Sequence, residues 1–257
     1  MIFQGQGSKK YTEVSLKKNR FKTAFILGAG KGIRLKPLTD TCPKPLLEIG
    51  RRPIITYAME HLRGIGIERF IVNTHHLPHA YKKVFPDRSY KGIPIIFRYE
   101  PMLLETGGGL KNIEDLLLDE DTIICYNGDV ITNLPLKKLI EKHEKDLAIA
   151  TLVLRSKGHN NNVEIDEDGN IVDMRFTFGK KGVKTCLFTG IYAIETKILD
   201  FIEQGKPESI VMVFLRLIQE NPGSIKGIII DEGFWYDIGT AEAFFKLKKA
   251  FKVSMDE

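Results

Sequence analysis

Short apolar segments alternate with predicted helices along this chain, and that alternation restricts the fold more than any other feature. The segments Thr23–Leu27, Arg69–Asn73 and Asp121–Asn127 are dominated by apolar side chains, as expected of buried strands. Helices are predicted over Pro53–Gly64 and Gly108–Leu118. Strands and helices in alternation indicate a mainly parallel sheet with helices on both faces. The sequence therefore predicts an α/β fold of three layers, α/β/α.

The second part of the chain has a different character and predicts a smaller β-rich lobe. Val163–Asp166 and Ile171–Met174 flank an Asp-Gly turn, which is typical of a hairpin, and Thr185–Ile194 predicts a further strand. No repeat, low-complexity tract or linker separates this part from the first. We therefore expect one domain over residues 21–257, with a mixed sheet, preceded by a polar and basic N-terminal extension over residues 1–20.

Composition and charge exclude several classes of protein. The chain has 257 residues, of which 43% are hydrophobic, so we expect neither disorder nor an incomplete core. Its 38 Lys and Arg against 33 Asp and Glu give a formal charge of +5, which suits anionic ligands but does not predict a nucleic-acid partner. No apolar segment approaches the roughly 20 residues of a bilayer span, so we expect no membrane partner. Cys42, Cys125 and Cys186 lack the spacing of a disulfide framework or a zinc site, which favours the cytoplasm, and a homo-oligomer is left open.

A glycine-rich loop follows the first predicted strand directly. Gly28, Ala29 and Gly30 open the segment GAGKGIR, and glycines let backbone N–H groups approach a phosphate or a base without a Cβ in the way. The dinucleotide fingerprint requires a third glycine where this chain has Ile33, and no Gly-Lys-Ser/Thr follows to complete a P-loop. A purely structural turn is the alternative interpretation.

Two cations near this loop favour a phosphate ligand. Arg34 follows the loop, and Lys44 lies between Pro43 and Pro45, which restrict its backbone. A guanidinium donates several coplanar hydrogen bonds to phosphate oxygens, whereas an ammonium acts as a compact charge. Each cation alone is also typical of a solvated surface, but together with the loop they predict a triphosphate cradle.

Several motifs in one order give this chain its resemblance to a known family. The segment GAGKGIRLKPLTDTCPKPLLEI resembles the opening signature of the sugar-1-phosphate nucleotidyltransferases, also called nucleotide-sugar pyrophosphorylases. Further segments that resemble motifs of this family are Leu104–Gly109, Tyr126–Asp129, Phe188–Tyr192 and Trp235–Thr240. The chain looks most like the short bacterial uridylyltransferases of N-acetylmuramate 1-phosphate and the guanylyltransferases of mannose 1-phosphate or heptose 1-phosphate.

This resemblance implies a Rossmann-like nucleotidyltransferase fold with a small sugar-binding lobe, and an Mg²⁺-dependent enzyme. A sugar 1-phosphate attacks the α-phosphorus of an NTP (UTP, GTP or dTTP) in line, which gives an NDP-sugar and pyrophosphate. Mg²⁺ suits this chemistry because it prefers carboxylate and phosphate oxygens. By the same resemblance, the catalytic residues are Arg34, Lys44 and Asp129; the metal ligands are Asp129 and Asp237; the nucleotide-binding residues are Gly28, Ala29, Gly30, Lys44, Thr106 and Gly107; and the sugar-binding residues are Glu105, Asn127, Asn162, Glu164, Thr189 and Gly190.

The chain departs from the family pattern after the predicted hairpin. Many members carry a Glu-Lys-Pro motif whose lysine contacts the sugar phosphate, and this chain has no such motif there. Either Arg175, Lys180 or Lys181 substitutes for that lysine, or the phosphate is held differently. Glu164 has an alternative interpretation as an outward-facing carboxylate on an alternating strand.

Two other functional classes are compatible with parts of the sequence. An NAD(P)-dependent oxidoreductase is suggested only by the strand and the glycine loop, and the absent third glycine argues against it. A non-catalytic regulatory homologue that binds a nucleotide sugar is the second alternative. The presence of Arg34, Lys44, Asp129 and Asp237 together favours the enzyme.

Overall fold

The structure, a computed structural model, describes residues 20–256. Apart from Arg20, the predicted N-terminal extension lies outside the described residues. The guanidinium Nη2 of Arg20 contacts Glu195 Oε1 at 3.0 Å. The boundary between the extension and the domain therefore stays a prediction.

The described part of the chain contains strands and α-helices in frequent alternation. The strands are β1 (Thr23–Leu27), β2 (Glu48–Ile49), β3 (Arg52–Pro53), β4 (Arg69–Thr74), β5 (Ser89–Tyr90), β6 (Ile93–Tyr99), β7 (Thr122–Asn127), β8 (Val130–Thr132), β9 (Ala150–Arg155), β10 (Val163–Ile165), β11 (Ile171–Met174), β12 (Lys184–Glu195), β13 (Ile225–Ile229) and β14 (Trp235–Asp237). The helices are α1 (Ile55–Arg63), α2 (Pro78–Val84), α3 (Glu105–Lys111), α4 (Lys137–Asp146), α5 (Ile210–Glu220) and α6 (Ala241–Asp256).

The central sheet is mixed and has a parallel core. Its main path runs β11-β10-β12-β7-β1-β4-β6-β5, and β9 pairs with β12 and β13. β7, β1, β4 and β6 run parallel to one another, so their carboxyl ends meet at one edge of the sheet. β12 is antiparallel to β7, and the β10–β11 hairpin extends the sheet beyond β12. The predicted α/β fold with a mixed central sheet is confirmed, and the predicted β-rich part forms an antiparallel extension of that sheet.

Alternation along β1 explains why helices cover both faces of the sheet. Phe25 packs into a core that includes Phe214 of α5, whereas Ala24 and Ile26 pack on the other face with Met59 of α1. All of these side chains are fully buried. Burial of one large apolar side chain stabilises the fold by roughly 1.5–3 kcal/mol, so a single strand anchors both helical layers.

Two predicted helices differ from the observed helices where they begin. α1 begins at Ile55 and not at Pro53, because Pro53 pairs with Glu48 between β2 and β3. α3 begins at Glu105 and not at Gly108, so three glycines lie within the helix. Glycine weakens a helix interior by about 1 kcal/mol, and intrinsic propensity therefore places these residues outside it. Close packing overrides that propensity, since Gly107 and Gly108 lie against the backbone before α5 and Gly109 lies against the Glu100 and Asn73 side chains.

The cysteines and the helices bear on two further predictions. Cys42, Cys125 and Cys186 are free thiols. Burial raises the pKa of the Cys125 thiol, which keeps it protonated and unreactive. Within residues 20–256, no helix is long and apolar enough to cross a bilayer.

Candidate active site

Three adjoining cavities open at the carboxyl edge of the parallel strands, where open α/β sheets bind their ligands. The central cavity, of about 350 Å³, is lined by Gly28–Gly30 after β1, by Asn127 at the end of β7 and by Asp129 beyond it. A second cavity, called here the Arg34 cavity because Arg34 lines it, shares Gly30, Lys44 and Asp129 with the central cavity. The third, called here the Asp237 cavity, shares Asn127. Together they form one cleft along the sheet edge.

Two buried side chains hold the first residue of the glycine loop in place. The Gly28 N–H donates to Asn73 Oδ1 over 2.7 Å, and the Tyr81 hydroxyl donates to Gly28 O over 3.0 Å. A Cβ on Gly28 would lie 2.8 Å from Asn73 O, so this close approach requires glycine. Gly28 therefore lines the cavity with its N–H already bonded, and Ala29 and Gly30 present the remaining loop backbone to a ligand.

Lys44 is a partly enclosed cation that lines both the central and the Arg34 cavities. It begins the 3-10 turn Lys44–Leu46 directly after Pro43. Its Nζ forms an ion pair with the Asp129 carboxylate, and the two side chains are 11% and 26% exposed. The structure thus brings together two of the residues to which the sequence assigned catalytic roles.

A two-stranded ribbon brings Asp129 and Asp237 together. β8 begins directly after Asp129 and pairs with β14 in antiparallel register, which places Val130 opposite Asp237. The Ile238 N–H continues this pairing by donating to Asp129 O over 3.1 Å. Two acids from distant parts of the sequence therefore lie close enough for their charges to interact.

The electrostatics of Asp237 fit a divalent cation. Its side chain remains open to solvent through the cleft and accepts no hydrogen bond within residues 20–256. Burial of part of its carboxyl and the charge of Asp129 raise the pKa of Asp237, while Lys44 and Arg34 oppose that effect. A cation between two such carboxylates relieves their repulsion. The described residues contain no group of three or more His, Cys, Asp or Glu that could hold a metal, but Mg²⁺ needs only one or two carboxylates, because waters and phosphates complete its shell.

Arg34 provides a second cation beside the cleft. It lies in the 3-10 turn Ile33–Leu35 and lines the Arg34 cavity together with Lys44 and Gly239. The side chain is exposed, and its guanidinium forms no ion pair within the described residues. It is therefore free to bind an anion that enters the cleft.

The Thr-Gly-Gly-Gly segment joins α3 to the start of α5. The Gly107 and Gly108 N–H groups donate to Glu208 O over 2.7 and 3.0 Å, and Thr106 Oγ1 accepts from the Ile210 N–H over 2.8 Å. Thr106 lines the central cavity, whereas Gly107 is buried behind it with its N–H occupied. The structure does not bring Gly107 to the cavity, because its role is to pack against the chain before α5.

Four of the predicted sugar-binding residues line the cleft. Glu105 faces the central cavity from a backbone φ of 60°, a conformation that residues with a Cβ adopt rarely. Asn127 lies between the central and Asp237 cavities, next to Gly190, where a Cβ would overlap the Asn127 amide. Thr189 lines the Asp237 cavity, but its hydroxyl donates to Val153 O over 2.8 Å and so points into the core.

Glu164 lies apart from these cavities. The side chain is not outward-facing, because β10 runs between β11 and β12 and leaves it 5% exposed. Its carboxylate accepts from the Gly182 N–H over 2.9 Å and from the Thr185 hydroxyl over 2.8 Å. It lines a separate cavity with Lys180 and Lys181, so the structure brings neither Glu164 nor these two lysines into the cleft.

Asn162 and Arg175 lie outside the three cavities, and their backbones are hydrogen-bonded to each other, over 2.6 Å from Arg175 N to Asn162 O.

Lys157 is a cation of the Asp237 cavity that sequence analysis missed. Lys157 lines the Asp237 cavity, is exposed and forms no ion pair within residues 20–256. Arg155 lines the same cavity, but its guanidinium donates to Asp231 O over 3.2 Å. No motif marks Lys157, which lies in an irregular loop after β9.

Sequence analysis also missed five residues that line the central cavity. They are Leu27 at the end of β1, Pro45 after Lys44, Asn73 in β4, Leu103 before α3 and Ser209 before α5. A polar residue near the carboxyl end of a buried strand was a usable signal for Asn73, since ligands bind at that edge. Leu103 and Ser209 carried no signal, because tertiary folding alone brings their loops to the cleft.

Comparisons with known proteins identify relatives of this chain. A family model described as nucleotidyl transferase matches residues 23–253. A mannose-1-phosphate guanylyltransferase of Mycobacterium tuberculosis is 33% identical over 228 residues, which cover 87% of this chain and 62% of that protein. A UTP–glucose-1-phosphate uridylyltransferase of Synechocystis sp. is 30% identical over 203 residues, which cover 71% of this chain and 51% of that protein. This chain therefore spans between half and two thirds of the length of these relatives.

A solved structure has the same fold. HddC from Yersinia pseudotuberculosis, complexed with GMP-PN, superposes with a TM-score of 0.73 and 24% sequence identity. The superposition covers 90% of this chain and 100% of that chain. The mixed sheet and its covering helices are thus shared over most of the chain.

Proposed function

Because this chain belongs to the nucleotidyl transferase family, we propose that it is a sugar-1-phosphate nucleotidyltransferase. The reaction joins an NTP and a sugar 1-phosphate to give an NDP-sugar and pyrophosphate. An oxygen of the sugar phosphate forms a bond to the α-phosphorus, and the bond from that phosphorus to the bridging oxygen of pyrophosphate breaks.

The observation that carries this proposal is the convergence of two cations and two carboxylates in one cleft. Lys44 pairs with Asp129, and Asp129, Lys44 and Arg34 all lie close enough to Asp237 for their charges to act on its pKa. The two substrates are both anions, so the main obstacle to the reaction is electrostatic. The reaction requires no protein nucleophile, only alignment of the substrates and neutralisation of the charge that builds up.

The two cations suit different phosphates of the NTP. Lys44 lines both the central and the Arg34 cavities, and this position supports a role for it at the α-phosphate. Arg34 lines the Arg34 cavity, and its guanidinium forms no ion pair within the described residues, which suits the β- and γ-phosphates and the departing pyrophosphate. Ala29 and Gly30, with Thr106, supply the wall against which we place the nucleoside.

We assign Asp129 and Asp237 as the residues that would hold a metal ion, with Mg²⁺ as the proposed ion. A bound Mg²⁺ neutralises and orients phosphate oxygens. Asp129 is paired with Lys44 in the structure, so the ammonium neutralises part of the negative charge that would otherwise attract a metal ion. Lys44 thereby reduces the electrostatic repulsion between Asp129 and Asp237.

The Asp237 cavity is the proposed sugar side of the cleft. Lys157 lines it and forms no ion pair within residues 20–256, so we place the phosphate of the sugar 1-phosphate near this lysine, in place of the lysine of the Glu-Lys-Pro motif. Glu105, Asn127 and Gly190 line the path from the nucleotide to this cavity. Sugar contacts from other predicted residues stay predictions, and they are Asn162, Glu164 and Thr189.

A matrix of substrates tests the proposed activity. Purified protein is incubated with Mg²⁺, each of five NTPs and a set of sugar 1-phosphates that includes glucose, mannose and N-acetylmuramate 1-phosphates. Pyrophosphate release is measured for every pair. We expect one pair to exceed background by orders of magnitude, with GTP and UTP tried first because the relatives are guanylyl- and uridylyltransferases. Background release for every pair, with binding of a nucleotide sugar retained, would instead favour the non-catalytic homologue.

We further propose that the protein works in the cytoplasm. The three free thiols and the NTP substrate support this location. No observation in the described structure favours an NAD(P)-dependent oxidoreductase. The proposed partners are therefore the NTP and the sugar 1-phosphate.

A further inference from the structure

A buried chain of hydrogen bonds connects the two loops that wall the central cavity. The Gly28 N–H donates to Asn73 Oδ1 over 2.7 Å, and Asn73 Nδ2 donates to Glu100 Oε1 over 2.7 Å. The Leu104 N–H donates to Glu100 Oε2 over 3.0 Å. Asn73 and Glu100 are 1% and 0% exposed. The chain thus crosses the carboxyl ends of β1, β4 and β6.

Hydrogen-bond direction specifies the residue types in this chain. A backbone N–H can only donate, so the Gly28 N–H requires the side-chain oxygen Oδ1 of Asn73. The side-chain nitrogen Nδ2 of Asn73 then points toward Glu100. The Leu104 N–H is also a donor, so two donors converge on one buried side chain. A carboxylate suits this position because each of its two oxygens accepts from one of the two donors. Glu100 forms no ion pair within residues 20–256, so its burial depends on these donors.

Gly109 makes room for the pair. It is the third glycine of the Thr-Gly-Gly-Gly segment and lies inside α3. A Cβ on Gly109 would lie 2.7 Å from Glu100 Oε1 and 2.8 Å from Asn73 Nδ2. The glycine is therefore required here by a hydrogen-bonded pair, not by contact with a phosphate.

We propose that Asn73 and Glu100 are positioning residues that set the 28–30 loop and the 103–106 segment at the separation that fits a nucleotide. Glu100 touches no ligand, since it is fully buried, and acts through the amides of Gly28 and Leu104. The loop on one side and the segment on the other supply much of the lining of the central cavity. This inference rests on the proposed function, because the ligand that the spacing fits is an NTP.

A reciprocal exchange of the two side chains tests the proposal. Glu100→Gln sets an amide nitrogen against one of the two converging donors. Asn73→Asp sets a second carboxylate against Glu100. The double variant Asn73→Asp/Glu100→Gln restores every hydrogen bond with one of them reversed, because the new carboxylate accepts from Gly28 and from the new amide, whose oxygen still accepts from Leu104. It also keeps the net charge of the wild type.

The readouts are the Kd of an NTP by calorimetry with Mg²⁺, KM and kcat, and the thermal unfolding midpoint. The probe is whichever of ATP, CTP, GTP, UTP and dTTP the wild type turns over fastest. We expect each single variant to weaken NTP binding by about tenfold or more, since a buried donor loses its acceptor or a buried acceptor its donor. We expect the double variant to return to within about threefold of the wild type.

Asp173→Asn is the matched control. Asp173 is a fully buried carboxylate that lies outside the cleft and accepts from the backbone N–H groups of Thr177, Phe178 and Lys180. Its substitution should lower the unfolding midpoint and leave NTP binding unchanged. For Glu100→Gln, a positioning role predicts instead that NTP binding weakens, and that the loss of NTP affinity exceeds the loss of kcat.

Several results would overturn the proposal. One is that the single variants lose stability as the control does while the Kd stays within about twofold of the wild type. Another is a double variant that binds no better than the weaker single variant. If a single variant does not fold, recovery of folding and of NTP binding in the double variant supports the proposal, and recovery of folding without binding overturns it. A wild type that binds no NTP refutes the proposed function itself.

Discussion

Replacement of Lys44 by methionine probes the charge arrangement of the cleft, because methionine keeps an unbranched side chain and removes the ammonium. The Lys44 and Asp129 side chains are 11% and 26% exposed, so the ion pair is largely enclosed. Two unit charges at about 4 Å interact by about 4 kcal/mol at an effective dielectric constant of about 20. Solvent contact at Asp129 screens part of this. We expect Lys44→Met to lower the free energy of unfolding by about 2 kcal/mol in the absence of metal.

The same variant should separate catalysis from binding. We expect kcat to fall by about a hundredfold or more, and the KM for the NTP to change by less than about threefold. The reason is that, in the proposed reaction, Lys44 would oppose charge that grows on the α-phosphate in the transition state. Loss of the ammonium also leaves Asp129 free, so Mg²⁺ should stabilise the variant against unfolding more than it stabilises the wild type.

Urea unfolding with EDTA or with Mg²⁺, together with pyrophosphate release, measures these effects. Lys36→Met is the matched control, because Lys36 pairs with Asp40 at 3.2 Å while both side chains are about half exposed. Its effect on stability should stay below about 0.5 kcal/mol. Wild-type unfolding and kcat in Lys44→Met would refute the reasoning. A rise in the NTP KM as the sole effect would assign Lys44 to ground-state binding.

Three further predictions concern the metal, the sugar side and the core. Asp237→Asn should weaken Mn²⁺ or Mg²⁺ binding by about tenfold in calorimetry, because the metal loses an anionic ligand, and unchanged affinity would remove Asp237 from the metal site. Lys157→Ala should raise the KM for the sugar 1-phosphate but not for the NTP, whereas Lys180→Ala should change neither. Burial, and next the charge of Arg20, lowers the pKa of His143 to about 4, from about 6.5 in the unfolded chain. The folded state therefore binds fewer protons, and stability present above pH 6.5 should fall by about 3 kcal/mol as the pH drops to 4. His143→Gln should flatten this slope in urea unfolding at a series of pH values.

Local patterns predicted the central strands well, because each is an apolar run with a clear end. β1 was predicted at its observed bounds, since Thr23–Leu27 is buried on both faces and Gly28 ends it. α3 was predicted three residues late, because its glycines are governed by packing against another part of the chain. Intrinsic propensity contains no information about that neighbour.

The same distinction, between local sequence patterns and contacts made only on folding, applies to the residues of the site. The spacing around the glycine loop pointed to Arg34 and Lys44 as cations, and the structure places both beside the cleft. The proximity of Asp129 and Asp237 came only from the resemblance, since the register of β8 with β14 leaves no mark in the sequence. Lys157 was missed for a related reason. A lysine in an irregular loop becomes informative only when folding sets it in a cavity.

The β8–β14 ribbon has a consequence for the order in which the chain can become active. It pairs Val130 with Asp237, a contact of high sequence separation, so the second carboxylate arrives late in synthesis. At about 5–20 residues per second, a ribosome needs roughly 5–20 s to add the intervening segment. During that interval a nascent chain can hold the glycine loop, Lys44 and Asp129, but it lacks the other half of the acidic pair. The ion pair to Lys44 can compensate Asp129 until then, so we expect the proposed activity to begin only once the C-terminal ribbon has formed.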